Sequence, residues 1–313
     1  MRLLHISDLH LKEHSGLRTN NILSRLYDFL AANANEKHFD HIIITGDLRD
    51  TRDGASVDDT ILIVNAITNA ARLIDKQCVH IIPGNHDYMR RDNDSTVIGN
   101  IRKEYDPENG VFSNTTVTIP SMAERFEEYF WPLSKAYYGS LDPWQNYSKC
   151  PHTIRIHDQN AFIYLNSCIT YINSDTEGSL LFGLHYLDQL LQNTKDAINV
   201  FILSHHPVQN FATREEAGLE KLINSYSGKQ FYWLCGDAHS NRLSQREYIR
   251  MYQVGSLTNI KTVIPDFAIY DLKDGVVERR VFRFLSHLNS TSMKQGGWKR
   301  IYIDSKSTGL KHQ

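Results

Sequence analysis

Residues 81–90 read IIPGNHDYMR. An apolar run stops at Pro83 and Gly84, and Asn85, His86 and Asp87 follow in succession. Turns favour Gly and Asn, but a turn has no need of His followed by Asp. The stretch is therefore either an ordinary polar loop or a reactive edge at the end of a strand. Four other segments repeat the pattern. RLLHIS runs into Asp8 and His10, and HIIITG delivers Asp47 with Asp50 close behind. NVFILS delivers His205 and His206, and QFYWLCG delivers Asp237 and His239.

These apolar runs, with CVHII and AFIYL, are β-branched or aromatic and too short for helices. Both alternating sets are apolar, as expected of strands buried on two faces. Between them NNILSRLYDFLAANANE places Ile22, Leu26, Phe29 and Leu30 on one helical face, and DDTILIVNAITNAARLID opens on two acids that suit a helix start. LHYLDQLLQN and REEAGLEKLINSY supply two more helices. Alternation of this kind predicts a layered α/β fold. In such folds the loops leaving the carboxyl ends of strands converge on one crevice. Each strand end alone is weak, because DLH arises by chance and Gly-Asp after a strand is usually a turn. Together they describe a metal site better than a proton-transfer dyad, with ligands enough for two ions sharing a carboxylate.

A chain of 313 residues, 41% hydrophobic, can bury one large domain with an appendage. A net charge of −2 gives no global basic field for nucleic acid, although a local groove stays open. Cys78, Cys150, Cys168 and Cys235 form no CxxC pair and read as thiols of a reducing compartment. MRLLHIS already reads as a strand, so no signal peptide is expected, nor does any apolar run approach a bilayer span. A cytoplasmic protein with no membrane contact is the expectation. Residues 1–285 are expected to form the main domain and 286–313 a polar tail, either frayed or meeting a protein partner. Residues 92–158, rich in Tyr and Trp, are expected to be an insertion or cap over the active site. YIRMYQVGS, FAIYDL and VVERRVFRF read as antiparallel strands, with KDG a hairpin turn.

DLH, GDLRD, GNHD, SHHP and GDAH together resemble, in order and context, the five motifs of calcineurin-like metallophosphoesterases. The resemblance covers roughly residues 1 to 285 and implies a four-layer α/β/β/α sandwich with a dimetal centre at its edge. It implies that Asp8, His10, Asp47 and His239 hold one ion, and that Asp47, Asn85, His205 and Asp237 hold the second. His86 is expected to face the phosphate without binding metal, and Asp87 to fix its tautomer. Two such cations lower the pKa of a shared water, so that a hydroxide can attack phosphorus in line.

The family's last motif is usually Gly-His-x-His, whereas this chain has Asp237 at the first His. Ligation through the Asp237 carboxylate is expected, and an oxygen-rich second site points to Mn²⁺, with Fe, Zn or Ni as alternatives. The expected activity is that of a hydrolase, a phosphodiesterase acting on a nucleotide-like or small organic diester. Trp131, Tyr137, Tyr138 and Trp144 are read chiefly as the insertion's own core, and otherwise as a base-stacking platform. The alternatives are a DNA or RNA nuclease using Arg90, Arg91, Arg102 and Lys103, and a phosphate-binding module with an impaired second metal site. His5, His41 and His80 lie in strands and read as satisfied interlayer histidines.

Overall fold

In a computed structural model, the described residues are 1–306 without 15, 52, 74, 90, 114, 173–176, 241, 246–247, 259–263, 274 and 286–296. The chain begins β1 (Arg2–Ile6), α1 (Leu17–Glu36), β2 (His41–Ile44), α2 (Val57–Ala70) and β3 (Val79–Ile81). The first turn of α2 holds Asp58 and Asp59, and the Ser56 hydroxyl accepts the Asp59 N–H, an N-cap that fixes where the helix starts. Next come α3 (Asp94–Lys103), the short pair β4 (Tyr105–Asp106) and β5 (Val111–Phe112), α4 (Thr115–Ala123) and α5 (Phe130–Tyr138). Then follow β6 (His152–His157), β7 (Asn160–Leu165), α6 (Leu184–Gln192), β8 (Asn199–Leu203), α7 (Thr213–Ser225) and β9 (Gln230–Cys235). The chain continues through β10 (Arg242–Gln245), β11 (Arg250–Gln253), β12 (Asp266–Lys273), β13 (Val276–Leu285) and β14 (Gly297–Lys306).

Two six-stranded sheets result, ordered β14-β13-β12-β1-β2-β3 and β10-β11-β9-β8-β7-β6. The period-2 geometry of the second sheet explains why its runs are apolar at every position. Phe162, Tyr164, Phe201, Leu203, Tyr232 and Leu234 join the core shared with the first sheet. The alternate residues Ile163, Leu165, Val200, Ile202, Phe231 and Trp233 pack with Leu187 and Leu191 of α6 and Leu219 and Ile223 of α7. On the far side of the first sheet, Phe29 of α1 meets Phe267 and Phe282 at 5.4 and 4.7 Å between centroids. The layers are thus helix, sheet, sheet, helix.

Two expectations change. β11 pairs in parallel with β9 and antiparallel with β10, so YIRMYQVGS is not part of an all-antiparallel run. The edge strand β10 lets the chain reverse and re-enter beside β9 in the same direction. β14, within the stretch expected as a tail, pairs antiparallel with β13 and sets Trp298 against Phe267 and Phe284. Arg90 and residues 286–296 and 307–313 lie outside the described residues.

The aromatic segment has a different task from base stacking. Trp131, Tyr137, Tyr138 and Trp144 are buried in the main core rather than in a core of their own. β3 is the edge of its sheet, and edge strands leave backbone groups open. The Tyr138 hydroxyl donates to Val79 O at 2.8 Å and accepts Ile81 N–H at 3.2 Å, while Trp144 Nε1 donates to Ile81 O at 3.3 Å. Side chains of the segment therefore close the edge that, among the described residues, no further strand covers.

Candidate metal centre

β1, β2 and β3 run parallel, as do β8 and β9 in the facing sheet, so five carboxyl ends open toward a common edge. The motif glycines let their loops touch. A Cβ on Gly84 would collide with the Asp47 amide and carboxylate, and one on Gly236 with Ser7 and Asp8. Seven non-glycine residues among those described have positive φ, and five are Asp8 (53°), His10 (43°), Asp47 (52°), Asp237 (66°) and His239 (48°). An L-residue in this region costs roughly 1–2 kcal/mol, so the loops store strain where these side chains are aimed.

Two clusters form around Asp47. In the first, Asp8 Oδ1 is buried, 3.1 Å from His239 Nε2 and 3.8 Å from His10 Nε2. The two imidazole Nε2 atoms lie 3.2 Å apart, and His10 Nε2 is 3.8 Å from Asp47 Oδ2. In the second, His205 Nε2 stands 2.8 Å from Asn85 Oδ1, 3.4 Å from Asp47 Oδ2 and 3.7 Å from Asp237 Oδ1. Asp47 Oδ2 thus reaches a histidine of each cluster. Groupings of Asp8, His10 and His239, of Asp8, Asp47 and His205, and of His205, His206 and Asp237 each bring their ligand atoms within 4.8 Å of one another.

The donor set fits a cation. His205 Nδ1 lies 2.7 Å from Thr45 O, a group that only accepts, so Nδ1 carries a proton. Its Nε2 then faces oxygen atoms, Asn85 Oδ1 at 2.8 Å nearest, an arrangement that a proton on Nε2 or a bound cation satisfies. The electrostatics agree. Burial disfavours a charged His205, but the Asp47, Asp8 and Asp237 carboxylates outweigh it and raise its pKa well above the usual value. Burial likewise opposes a charged His10, and Asp8 and Asp47 raise its pKa overall. Burial pushes Asp8 and Asp47 up, yet the surrounding imidazoles hold both carboxylates below their usual range.

The structure also places His86 and Asp87, in an arrangement other than the one expected. The buried Asp87 carboxylate accepts Leu48 N–H at 2.9 Å and Arg49 N–H at 3.2 Å on Oδ1, and Gly84 N–H at 2.9 Å on Oδ2. It ties the β2 and β3 loops together instead of orienting His86. Burial and the nearby Asp47 raise its pKa to about 7 against those backbone donors. The ring of His86 is held by Thr51, whose Oγ1 is 2.6 Å from Nδ1. Its Nε2 points back to Asp47 Oδ2 at 3.9 Å. Nothing local in GDLRDT marks Thr51 for this contact, since its partner is far along the chain.

Beside His86 opens a cleft of about 870 Å³ lined by Lys12, Arg49, Asp50, Thr51, Tyr88, Met89 and Glu128 among others. The Arg49 guanidinium lies 4.0 Å over the Tyr129 ring, and the Tyr129 hydroxyl is 2.8 Å from Thr60 Oγ1. Asp50 pairs with Lys12 at 3.4 Å and lies in the cleft wall. His206, the second imidazole of SHHP, is buried and stacked on Tyr171 at 5.3 Å. Its Nδ1 is 3.0 Å from Ser167 Oγ and its Nε2 3.9 Å from Asp237 Oδ1.

The uncharacterized metallophosphoesterase-like protein YydB of Bacillus subtilis is 23% identical over 315 residues, covering 96% of this chain. The chain spans about 63% of that relative's length. The crystal structure of a dimetal phosphatase from Danio rerio superposes with a TM-score of 0.56 at 13% identity, covering 98% of this chain and 99% of that one, a likeness of fold. The model of the calcineurin-like phosphoesterase family matches residues 1–243, and the chain belongs to that family.

Proposed function

We propose that the chain is a two-metal phosphodiesterase, hydrolysing a nucleotide-like or small organic phosphodiester. The observation that carries this reading is Asp47, whose Oδ2 lies 3.8 Å from His10 Nε2 and 3.4 Å from His205 Nε2, so that one carboxylate could serve ligands of two ions. Asp8, His10, Asp47 and His239 would hold one cation, and Asp47, Asn85, His205 and Asp237 would hold the other. Bound divalent ions, Mn²⁺ by preference for this oxygen-rich set, supply Lewis acidity and an activated water. His86 acts on the departing oxygen. A Thr51 hydroxyl donating to Nδ1 leaves the imidazole proton on Nε2, the nitrogen turned toward Asp47. Arg49, steadied on Tyr129, takes a phosphoryl oxygen or an anionic substituent in the cleft.

The cleft supports a diester over a monoester because it offers room for a second substituent beside His86. It supports a small substrate over a nucleic acid, since Asp50, Asp53 and Glu128 line it alongside Lys12 and Arg49. Arg91 pairs with Glu124 at 3.4 Å, and Arg102 is bonded to Thr170 O, so neither builds a phosphate track. Among the described residues no helix is long and apolar enough to cross a membrane, and all four cysteines are free. We place the protein in the cytoplasm on that thiol chemistry.

The test is metal content with hydrolysis of bis(p-nitrophenyl) phosphate and of p-nitrophenyl phosphate, each with and without Mn²⁺. Two ions per chain and Mn²⁺-dependent turnover favouring the diester are expected. One ion or none, with no turnover of either ester, would leave a phosphate-binding module with an impaired second site.

A further inference from the structure

We infer that His206 is itself a ligand of the second ion, so that a pair of adjacent imidazoles, His205 and His206, binds together with Asp237. The inference rests on the dimetal reading above and adds a residue to it. Both rings present Nε2 to the same carboxylate oxygen, His205 at 3.7 Å and His206 at 3.9 Å from Asp237 Oδ1. A hydrogen bond from an imidazole to a carboxylate closes to about 2.7–2.9 Å, so neither separation is one. Ligands held at about 2.0–2.2 Å from one ion lie at most about 4.4 Å apart, and both separations fall within that limit. The three ligand atoms lie within 4.8 Å of one another.

The surroundings of His206 are those of a fixed ligand. Its ring is buried, stacked on Tyr171 at an interplanar angle of 24° and set at 76° to the His205 ring. Ser167 Oγ lies 3.0 Å from its Nδ1 and accepts its backbone N–H at 3.1 Å. A serine oxygen has two lone pairs, so it can take the Nδ1 proton as well and leave the Nε2 lone pair facing Asp237. His205 is held in the same sense, with Thr45 O on Nδ1 at 2.7 Å. The two neighbours thus share one design, an oxygen on Nδ1 fixing the tautomer and Nε2 within 4 Å of Asp237 Oδ1, that of His205 also facing Asn85 and Asp47. With Asp47, Asn85 and Asp237 the second site then has five protein ligands, which exceeds tetrahedral zinc and suits a six-coordinate ion such as Mn²⁺.

The experiment uses the full chain loaded with Co²⁺, whose ligand imidazoles give contact-shifted exchangeable N–H signals in proton NMR. Wild type should show one such signal more than His206→Ala. Mn²⁺ titration of the same variant should weaken one of two ions by more than the ~10–100-fold typical of losing an outer partner. Should His206→Ala fail to fold, Ser167→Ala decides on its own. It keeps every ligand and should move one contact-shifted signal. The same signals in wild type and His206→Ala, or no signal moved in Ser167→Ala, overturns His206 as a ligand while two bound ions keep the dimetal reading intact. Fewer than two ions bound by wild type overturns that reading first.

Discussion

His5, His41 and His80 lie between the two sheets, while His205 and His206 lie at the sheet edge, and all five rings are buried. Between the sheets, imidazoles meet neutral partners. His5 contacts Tyr270 OH at 3.2 Å and Thr45 Oγ1 at 3.0 Å, and His80 contacts Tyr164 OH at 2.7 Å and His41 Nδ1 at 3.0 Å. Burial then dominates, taking the His5 pKa down to about 3 and that of His41 to about 4. At the edge, burial is as complete, but carboxylates carried by the strand-end loops reverse the outcome for His205. Burial alone says little about what a histidine does. The sign of charge its ring faces separates a packing residue from one that can hold a cation.

The sharpest way to break the contrast is Asp47→Asn, which removes the carboxylate between the clusters. Diesterase activity should fall below detection and bound metal below two ions per chain; an active, fully loaded variant would end the proposed arrangement. His86→Asn should lower kcat by ~10²–10⁴-fold, the usual worth of a general acid, with both ions retained. Thr51→Val, which frees the His86 ring, should cost ~10-fold in kcat, again at full metal content. On the other side of the comparison, His80→Ala should leave kcat and metal content unchanged while lowering unfolding free energy by ~2–4 kcal/mol, since it opens a cavity and strands two polar partners.

The smallest effect concerns acid. A histidine whose folded pKa lies below its unfolded value of about 6.5 binds its proton more readily when unfolded. The stability that His5 and His41 allow is complete above pH 6.5 and is lost as pH falls toward about 3 to 4. His5→Gln should therefore make the fall of unfolding free energy between pH 6 and 4, read from denaturant melts, less steep by up to one proton or about 1.4 kcal/mol per pH unit. An unaltered slope would mean that the ring does not stay neutral in the fold.

The layered fold and the five strand ends could be read from the sequence because both are local. A short apolar run followed by Asp, Asn or His needs only its neighbours to be recognised, and parallel strands bring those ends to one edge. What could not be read depends on partners distant in sequence. Asp87 has the same adjacency to His86 whether it orients that ring or accepts loop amides, and the choice was made by Gly84, Leu48 and Arg49. Thr51 reaches His86 only because two loops are pressed together at Gly84. Tyr138 and Trp144 read as aromatic payload, yet their polar atoms close the β3 edge, a need that arises only once strand order is set. The direction of β11 likewise follows from where β10 lets the chain turn.

The left-handed backbone at Asp8, His10, Asp47, Asp237 and His239 sets a direction for mutational drift. Glycine at any of these positions would relieve the backbone strain, since it alone adopts such angles without a steric penalty, while removing the side chain that faces the centre. Selection for robustness by itself would therefore erode the centre, one relaxed loop at a time, leaving a stable sandwich with nothing to hold an ion. Five strained side chains at one edge mark a compromise in which durability yields to chemistry.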